Sequence, residues 1–310
     1  MLDRFWEVAG GGLADRMARL GWPAVLFWLG GLLAWAGGHG GLHRLNTLTG
    51  WLGQQSAPAQ FAAIAGVLAA VAGTAGLVER LTLPTLRLLE GYWPEWLGGL
   101  RRRLVARVDR RAAREDEEWQ KLAPDVLERT ATADQLIAFA RLDQRRRHRP
   151  SNPAQRLPTR IGNILRAGEC WPADKYGLDA VAVWPRLWLV LPDATRRELV
   201  AARSALNQAV AVALWGLLFC IFAGWYFLAL PIGLGVALSA VALWAPPRAE
   251  IFADLVESAF DLHRVALYRQ LRWPLPDHPA EEPARGRELT AYLWRGSDTT
   301  YPHFTPPGES

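Results

Sequence analysis

Two pairs of long, charge-free apolar stretches, separated by a segment that carries most of the charge, constrain this 310-residue chain more than any other feature. The first pair is Trp22–Gly38 and Phe61–Val78. In the second, no Asp, Glu, Lys, Arg or His lies between Arg203 and Arg248, and the 44 residues of that gap would make a helix of about 66 Å at roughly 1.5 Å per residue. A hydrocarbon core is roughly 30 Å thick, so the gap fits a hairpin of two spans better than one helix. The expected fold class is an all-α integral membrane protein with four transmembrane helices and a helical cytoplasmic module. The expected organisation is 1–78, an N-terminal interfacial helix with spans one and two; 79–206, an Arg-rich helical cytoplasmic domain; 207–247, a hairpin of spans three and four; and 248–310, a cytoplasmic helix with a Pro-rich tail.

Arginines next to the span ends set the expected orientation, because cytoplasmic flanks hold the excess of Lys and Arg. Arg4, Arg16, Arg19, Arg80, Arg87, Arg196, Arg197, Arg203 and Arg248 flank one side, against Arg44 alone on the other. Both termini and the central segment are therefore expected in the cytoplasm. A cleaved leader is the alternative for the first stretch, since Ala34-Trp35-Ala36 resembles a small-residue cleavage site. Asp3, Glu7 and Asp15 in the preceding segment suit an interfacial helix better than a basic leader. Two cysteines with no disulfide role, 33 arginines against 2 lysines, and abundant Trp, Ala and Gly point to a bacterial plasma membrane.

Local patterns place the remaining elements. Leu2, Phe5, Trp6, Leu13, Met17 and Leu20 suggest an interfacial amphipathic helix, and Leu42, Leu45, Leu48, Trp51 and Leu52 a weaker one in the external loop. A helix is expected from Glu95 to Leu122, others from Thr132 to about Arg147 and over Arg160–Glu169, then a short one at Leu289–Trp294. Asp179–Leu191 is apolar but short, and is read as core, with interfacial insertion as the alternative. Thr195 and Glu198 have capping-box spacing. Pro231, Gly233 and Gly235 are expected to turn the second hairpin, and Pro246-Pro247 to end the fourth span.

Three groups of residues are candidates for function. Gly66, Ala70 and Gly73 belong to a small-residue face on the second span, where helix backbones can approach closely, either within the subunit or between subunits. Arg101, Arg102, Arg103 and Arg107 lead a run of seven arginines in 101–114 that suits anionic lipid, while the acids Glu115–Glu118 that follow make nucleic acid an unlikely partner. Glu250, Asp254, Glu257 and Asp261, at spacings of four, three and four, share one stripe of the helix leaving the fourth span, with Ile251, Leu255, Leu262 and Val265 on another side. That stripe is expected either to pair with arginines of 101–114 or to ring a pore vestibule once subunits repeat about an axis.

No phosphate-loop, dinucleotide, zinc-protease or nucleophile-elbow motif is present, so no catalytic residue, cofactor or metal is expected. His39 and His43, four apart, are read as interfacial, since two ligands do not make a zinc site. The spans hold no Asp, Glu, Lys, Arg or His, which argues against an ion-coupled carrier but not against a channel with an apolar constriction. Two functions remain: a homo-oligomeric channel or pore regulated by its cytoplasmic module, and a non-conducting membrane scaffold or sensor that binds a cytoplasmic protein partner.

The stretch Leu157-Pro158-Thr159-Arg160-Ile161-Gly162-Asn163, followed by Tyr176-Gly177-Leu178-Asp179-Ala180-Val181 and Trp184-Pro185-Arg186-Leu187, resembles a segment of uncharacterised bacterial membrane proteins with a two-plus-two transmembrane layout. The resemblance covers about a tenth of the chain. It implies the span layout and nothing about activity.

Overall fold

The structure is a computed structural model that describes residues 13–41, 43, 50–296 and 300–305, with only the backbone given for 13–21. Every regular element among the described residues is a helix. In chain order these are α1 (Leu13–Gly38), α2 (Ala57–Glu90), α3 (Gly98–Leu127), α4 (Ala133–Arg147), α5 (Arg160–Tyr176), α6 (Ala180–Val190), α7 (Asp193–Phe219), α8 (Ala229–Ser239), α9 (Ala245–Gln270) and α10 (Glu282–Arg295). Of the expected interfacial helix over 1–20, residues 1–12 lie outside the described residues and 13–20 form the start of α1; Leu42, Leu45 and Leu48 also lie outside the described residues.

Three segments are long and apolar enough to cross a membrane: one within Ala57–Leu127, one in Asp193–Gly224 and one in Ala229–Gln270. The stretch Trp22–Gly38 is a shorter apolar helix. The chain divides into two compact units, an apolar one from Gly10–Leu86 with Ser204–Ala245 and a charged one built from Arg87–Arg203 with Pro246–Ser310.

The apolar unit packs α1, α2 and α7 around Ala24, Val78, Ala211, Leu214 and Trp215, with Phe27, Val71 and Ala75 against them. Trp28 Nε1 donates to Thr74 Oγ1 (3.1 Å), tying α1 to α2. The α2 hydroxyl is in turn satisfied by donating to the Ala70 carbonyl, as a polar group in an apolar setting requires. Glycines permit the tightest approaches. A Cβ on Gly30 would stand 2.8 Å from Phe219, and one on Gly216 2.7 Å from the Gly233 carbonyl oxygen of α8. Phe27, Phe219, Phe222 and Trp225 form a connected ring cluster at this end.

Three prolines behave differently from expectation. The second hairpin turns earlier than Pro231, through the 3₁₀ segment Cys220–Gly224, and α8 already contains Pro231. Pro231 falls in the first turn of α8, where a missing N–H leaves no bond unmade. Pro246 and Pro247 do not end the helix either. Ala240–Trp244 is a π turn that leads directly into α9. The carbonyls four residues before the two prolines, those of Ala242 and Leu243, lie in that widened turn, which accommodates both the absent donors and the ring clash.

In the charged unit, α3 and α4 form an antiparallel pair. Thr132 caps α4 with a complete capping box, its side chain accepting from Gln135 N while the Gln135 side chain accepts from Thr132 N. The expected box at Thr195 is replaced by an earlier start, since α7 opens at Asp193. Helix α5 is capped by Thr159 and closed by Gly177 at φ 69°. Asn163 is buried and clamps the preceding loop, accepting from Leu157 N (2.9 Å) and donating to Leu157 O (2.7 Å). Helix α6 is core: Val183, Trp184 and Leu187 are fully buried, with Trp184 against Phe260 of α9. Helix α10 lies against α5 and α6 and is longer than the expected Leu289–Trp294.

Candidate functional site

The acidic stripe of α9 is the centre of a charge network, because a helix brings residues at four-three-four spacing onto one face. Glu250 takes Arg160 of α5 at 2.9 Å. Asp254 takes His148 Nε2 at 3.0 Å, and His148 Nδ1 stands 3.9 Å from Glu250. Glu257 takes Arg147 at 3.1 Å, and Asp261 takes Lys175 at 3.2 Å together with the Tyr176 hydroxyl. Next to them Arg264 pairs with Glu282 of α10. One α9 stripe thus ties together the C-terminal end of α4 and both ends of α5.

This corrects the partners expected from sequence. None of these four carboxylates pairs with a residue of 101–114 among the described residues. As pore-vestibule candidates, Glu250, Glu257 and Asp261 are already paired with an Arg or Lys of their own subunit, and Asp254 is held by the His148 imidazole. The apolar residues of α9 fall on two sides, and the structure buries one of them. Ile251 is 57% and Leu262 74% exposed, whereas Phe252, Val256, Phe260 and Leu267 are buried.

The acids after the arginine run are committed as well. Glu115, buried on α3, receives Arg111 at 2.9 Å and Arg149 at 2.7 Å, with Arg145 at 3.5 Å. Asp116 receives Arg146 and Arg149, and Arg146 also stacks on the Trp119 ring at 3.9 Å. Glu117 pairs with Lys121. Burial pushes the Glu115 carboxyl up, but hydrogen bonds from Arg111 and Arg149 and their charges outweigh it, so its pKa is lowered. Glu257 shows the opposite balance: burial raises its pKa despite Arg147.

Sequence inspection missed Arg147, His148, Arg149, Arg160 and Lys175 as the working partners. The basic run 145–149 begins in the last turn of α4, as the expected helix to about Arg147 places it, and there the helix dipole favours cations. The capping box at Thr132 was the available signal, since it fixes the phase of α4 and hence the side on which that run emerges.

The other candidates are placed as follows. Gly66 and Gly73 have nothing within 4 Å of an added Cβ, and the most apolar window of α2 is only 6% buried. The face of α2 that packs within the subunit is Val71, Thr74, Ala75 and Val78, with Ala70 half-buried, so Gly66 and Gly73 do not pack within the subunit. Arg101, Arg102, Arg103 and Arg107 are exposed on α3. His39 stacks on Trp35 and contacts its carbonyl oxygen at 2.9 Å. Cys170 is buried and its thiol is pushed up to about 11, first by burial, so it stays protonated at neutral pH. Among the described residues no three His, Cys, Asp or Glu gather as a metal site.

These features define an all-helical protein with three candidate membrane-spanning helices and a charge-networked helical unit. No family model, curated protein or solved structure matches the chain.

Proposed function

We propose that this protein is a non-conducting scaffold or sensor of a bacterial plasma membrane, with four spans, cytoplasmic termini and a cytoplasmic helical module that engages a protein partner. The supporting observation is the internal pairing of the acidic stripe, in which Glu250, Glu257 and Asp261 each meet an Arg or Lys within the subunit and Asp254 meets the His148 ring. A vestibule concentrates cations through uncompensated charge; here that charge is spent on holding helices together. The most apolar stretches within the three candidate segments carry no Asp, Glu, Lys, Arg or His that could relay ions, which weighs against an ion-coupled carrier and leaves the choice between scaffold and channel to the stripe. The test is flux from proteoliposomes containing purified protein under salt gradients and applied voltage. Leakage indistinguishable from empty liposomes is expected, and a selective current removed by neutralising the stripe would overturn the proposal.

A second reading, a homo-oligomeric channel, draws support from the unpacked Gly66 and Gly73 positions of α2, a surface suited to close helix association in lipid. Because nothing lies near those positions in the monomer, Gly66→Leu with Gly73→Leu is expected to leave the unfolding midpoint of the subunit unchanged. The same pair should shift the mass in detergent, read by light scattering, from oligomer to monomer. An unchanged mass would assign this face to lipid.

The orientation rests on the nine-to-one distribution of arginines. In a background lacking the two native cysteines, Ser56→Cys is expected to react with a membrane-impermeant thiol reagent in intact cells and Ser151→Cys only after lysis. Both serines are exposed, so access is set by the membrane alone. Labelling of Ser151→Cys from outside would reverse the orientation.

A further inference from the structure

We propose that the outward face of α3 docks on an anionic phospholipid surface, with Trp96 and Leu100 entering the interface and Arg103, Arg107, Arg110 and Arg114 meeting lipid phosphates. The inference goes beyond the scaffold proposal and holds whether or not the protein conducts.

Geometry supplies the face. Trp96, in the 3₁₀ turn Glu95–Leu97, begins a four-three-four-three-four series that continues through Leu100, Arg103, Arg107, Arg110 and Arg114. Residues so spaced lie along one side of a helix. All six are exposed, Trp96 at 81% and Leu100 at 47%. Arg101 and Arg102 are exposed as well but lie off this side of the helix. The opposite side of α3 carries buried Ala112 and Glu115, and Trp119 stacked on Phe139 of α4.

Charge supplies the occupant. In sequence the acids Glu115–Glu118 would offset the arginine run, but Glu115 and Asp116 are drawn to Arg145, Arg146 and Arg149, and Glu117 to Lys121. Asp109 is taken by Arg156 at 2.9 Å. Among the described residues, Arg101, Arg102, Arg103, Arg107 and Arg114 have no acidic partner, whereas Arg145, Arg146, Arg147, Arg149, Arg156 and Arg160 all do. Of the run, Arg111 is taken by Glu115, and exposed Glu118 lies beyond Arg114 on the same side, so the cationic face runs from Arg103 to Arg114 with an apolar end at Trp96 and Leu100. A helix with a basic face and Trp or Leu at its edge lies in a headgroup layer, whereas nucleic-acid binding would leave exposed Trp96 and Leu100 without a role unless they stacked on unpaired bases. The chain is also membrane-embedded by its apolar segments, so a bilayer is always within reach.

The experiment uses the full chain in nanodiscs of phosphatidylcholine alone or mixed equally with phosphatidylglycerol, and reads backbone hydrogen exchange over 98–114. Each basic residue near an anionic surface strengthens attachment about five-fold. Protection is therefore expected to rise about ten-fold or more in the anionic discs and to fall back in high salt. The variant Arg103→Gln, Arg107→Gln, Arg114→Gln should lose that protection while keeping the thermal midpoint of the parent, since these side chains hold nothing in the fold. Equal exchange in both discs, whether high or low, would overturn the proposal. So would protection of 98–114 in neutral discs by a single-stranded RNA oligonucleotide with none from anionic lipid, an outcome that would assign the face to nucleic acid.

Discussion

Alanine at Gly286 is expected to destabilise the charged unit by about 3 kcal/mol, the upper range for forcing an extra group into a packed interior. The reason is that the obstacle is backbone on both sides. A Cβ on Gly286 of α10 would fall inside contact distance of the Tyr176 carbonyl oxygen and 3.0 Å from the Gly177 carbonyl carbon. Gly177 is itself fixed by φ 69°, a conformation costly for residues with a side chain, and a Cβ there would strike the Pro283 carbonyl oxygen. Neither partner is the end of a flexible side chain, so α10 would have to lift. Lifting it would break the bond from Asp179 N to Thr290 Oγ1 (3.1 Å) and that from the Thr290 hydroxyl to Gly177 O (3.2 Å). Leu289, fully buried, would move with them. Chemical denaturation followed by exchange in α10 measures the loss. Gly99→Ala serves as the contrast: it lies in α3 with nothing within 4 Å, and a helical glycine changed to alanine gains roughly 0.5–1 kcal/mol. Equal behaviour of the two variants would mean that the contact between α5 and α10 is not formed as described.

Much of the architecture could be read from period and charge. The apolar segments of α2, α7 and α8, the capped start of α4 and the buried character of α6 follow from run length, capping chemistry and composition, because each is a local property. What could not be read is which of two faces a helix turns inward. On α9, both Ile251, Leu255, Leu262, Val265 and Phe252, Val256, Ala259, Phe260, Leu267 satisfy helical spacing, and the structure buries the second set. The choice depends on Trp184 meeting Phe260, a contact between residues far apart in sequence. Ion-pair partners are hidden for the same reason. Arginines of 101–114 lie closer along the chain to the candidate membrane segments, but Arg147, Arg160 and Lys175 are the ones that α4 and α5 deliver to the acidic stripe. Prolines misled because their effect depends on the turn before them: after the π turn Ala240–Trp244, Pro246 and Pro247 begin a helical segment instead of ending one.

Removing Glu115 is expected to cost about 3–5 kcal/mol, because breaking a buried pair from one side leaves the other charge unpaired. Its side chain is 9% exposed and that of Arg149 10%, and the two meet at 2.7 Å. Glu115→Ala leaves Arg149 with only Asp116 at 3.2 Å and releases Arg111 from its 2.9 Å bond, loosening the seam between α3 and the end of α4. The paired change Glu115→Leu with Arg149→Met is expected to recover most of the loss, since an apolar pair of similar volume avoids the desolvation cost of both ions. Acidity supplies a second readout. The folded-state pKa of Glu115 lies below the ordinary value of 4.5, so its contribution is fully present above that value and is lost as pH falls through the lower folded one. Glu257 has the opposite sign: its raised folded pKa makes ionisation costly in the native state, so its contribution weakens as pH rises past 4.5. Wild-type stability should therefore drop steeply below pH 4.5 with a component that Glu115→Ala removes, whereas Glu257→Gln should flatten the curve above pH 4.5. A Glu115→Ala protein with the wild-type acid slope would show that this carboxylate is not held by Arg111 and Arg149 in the folded protein.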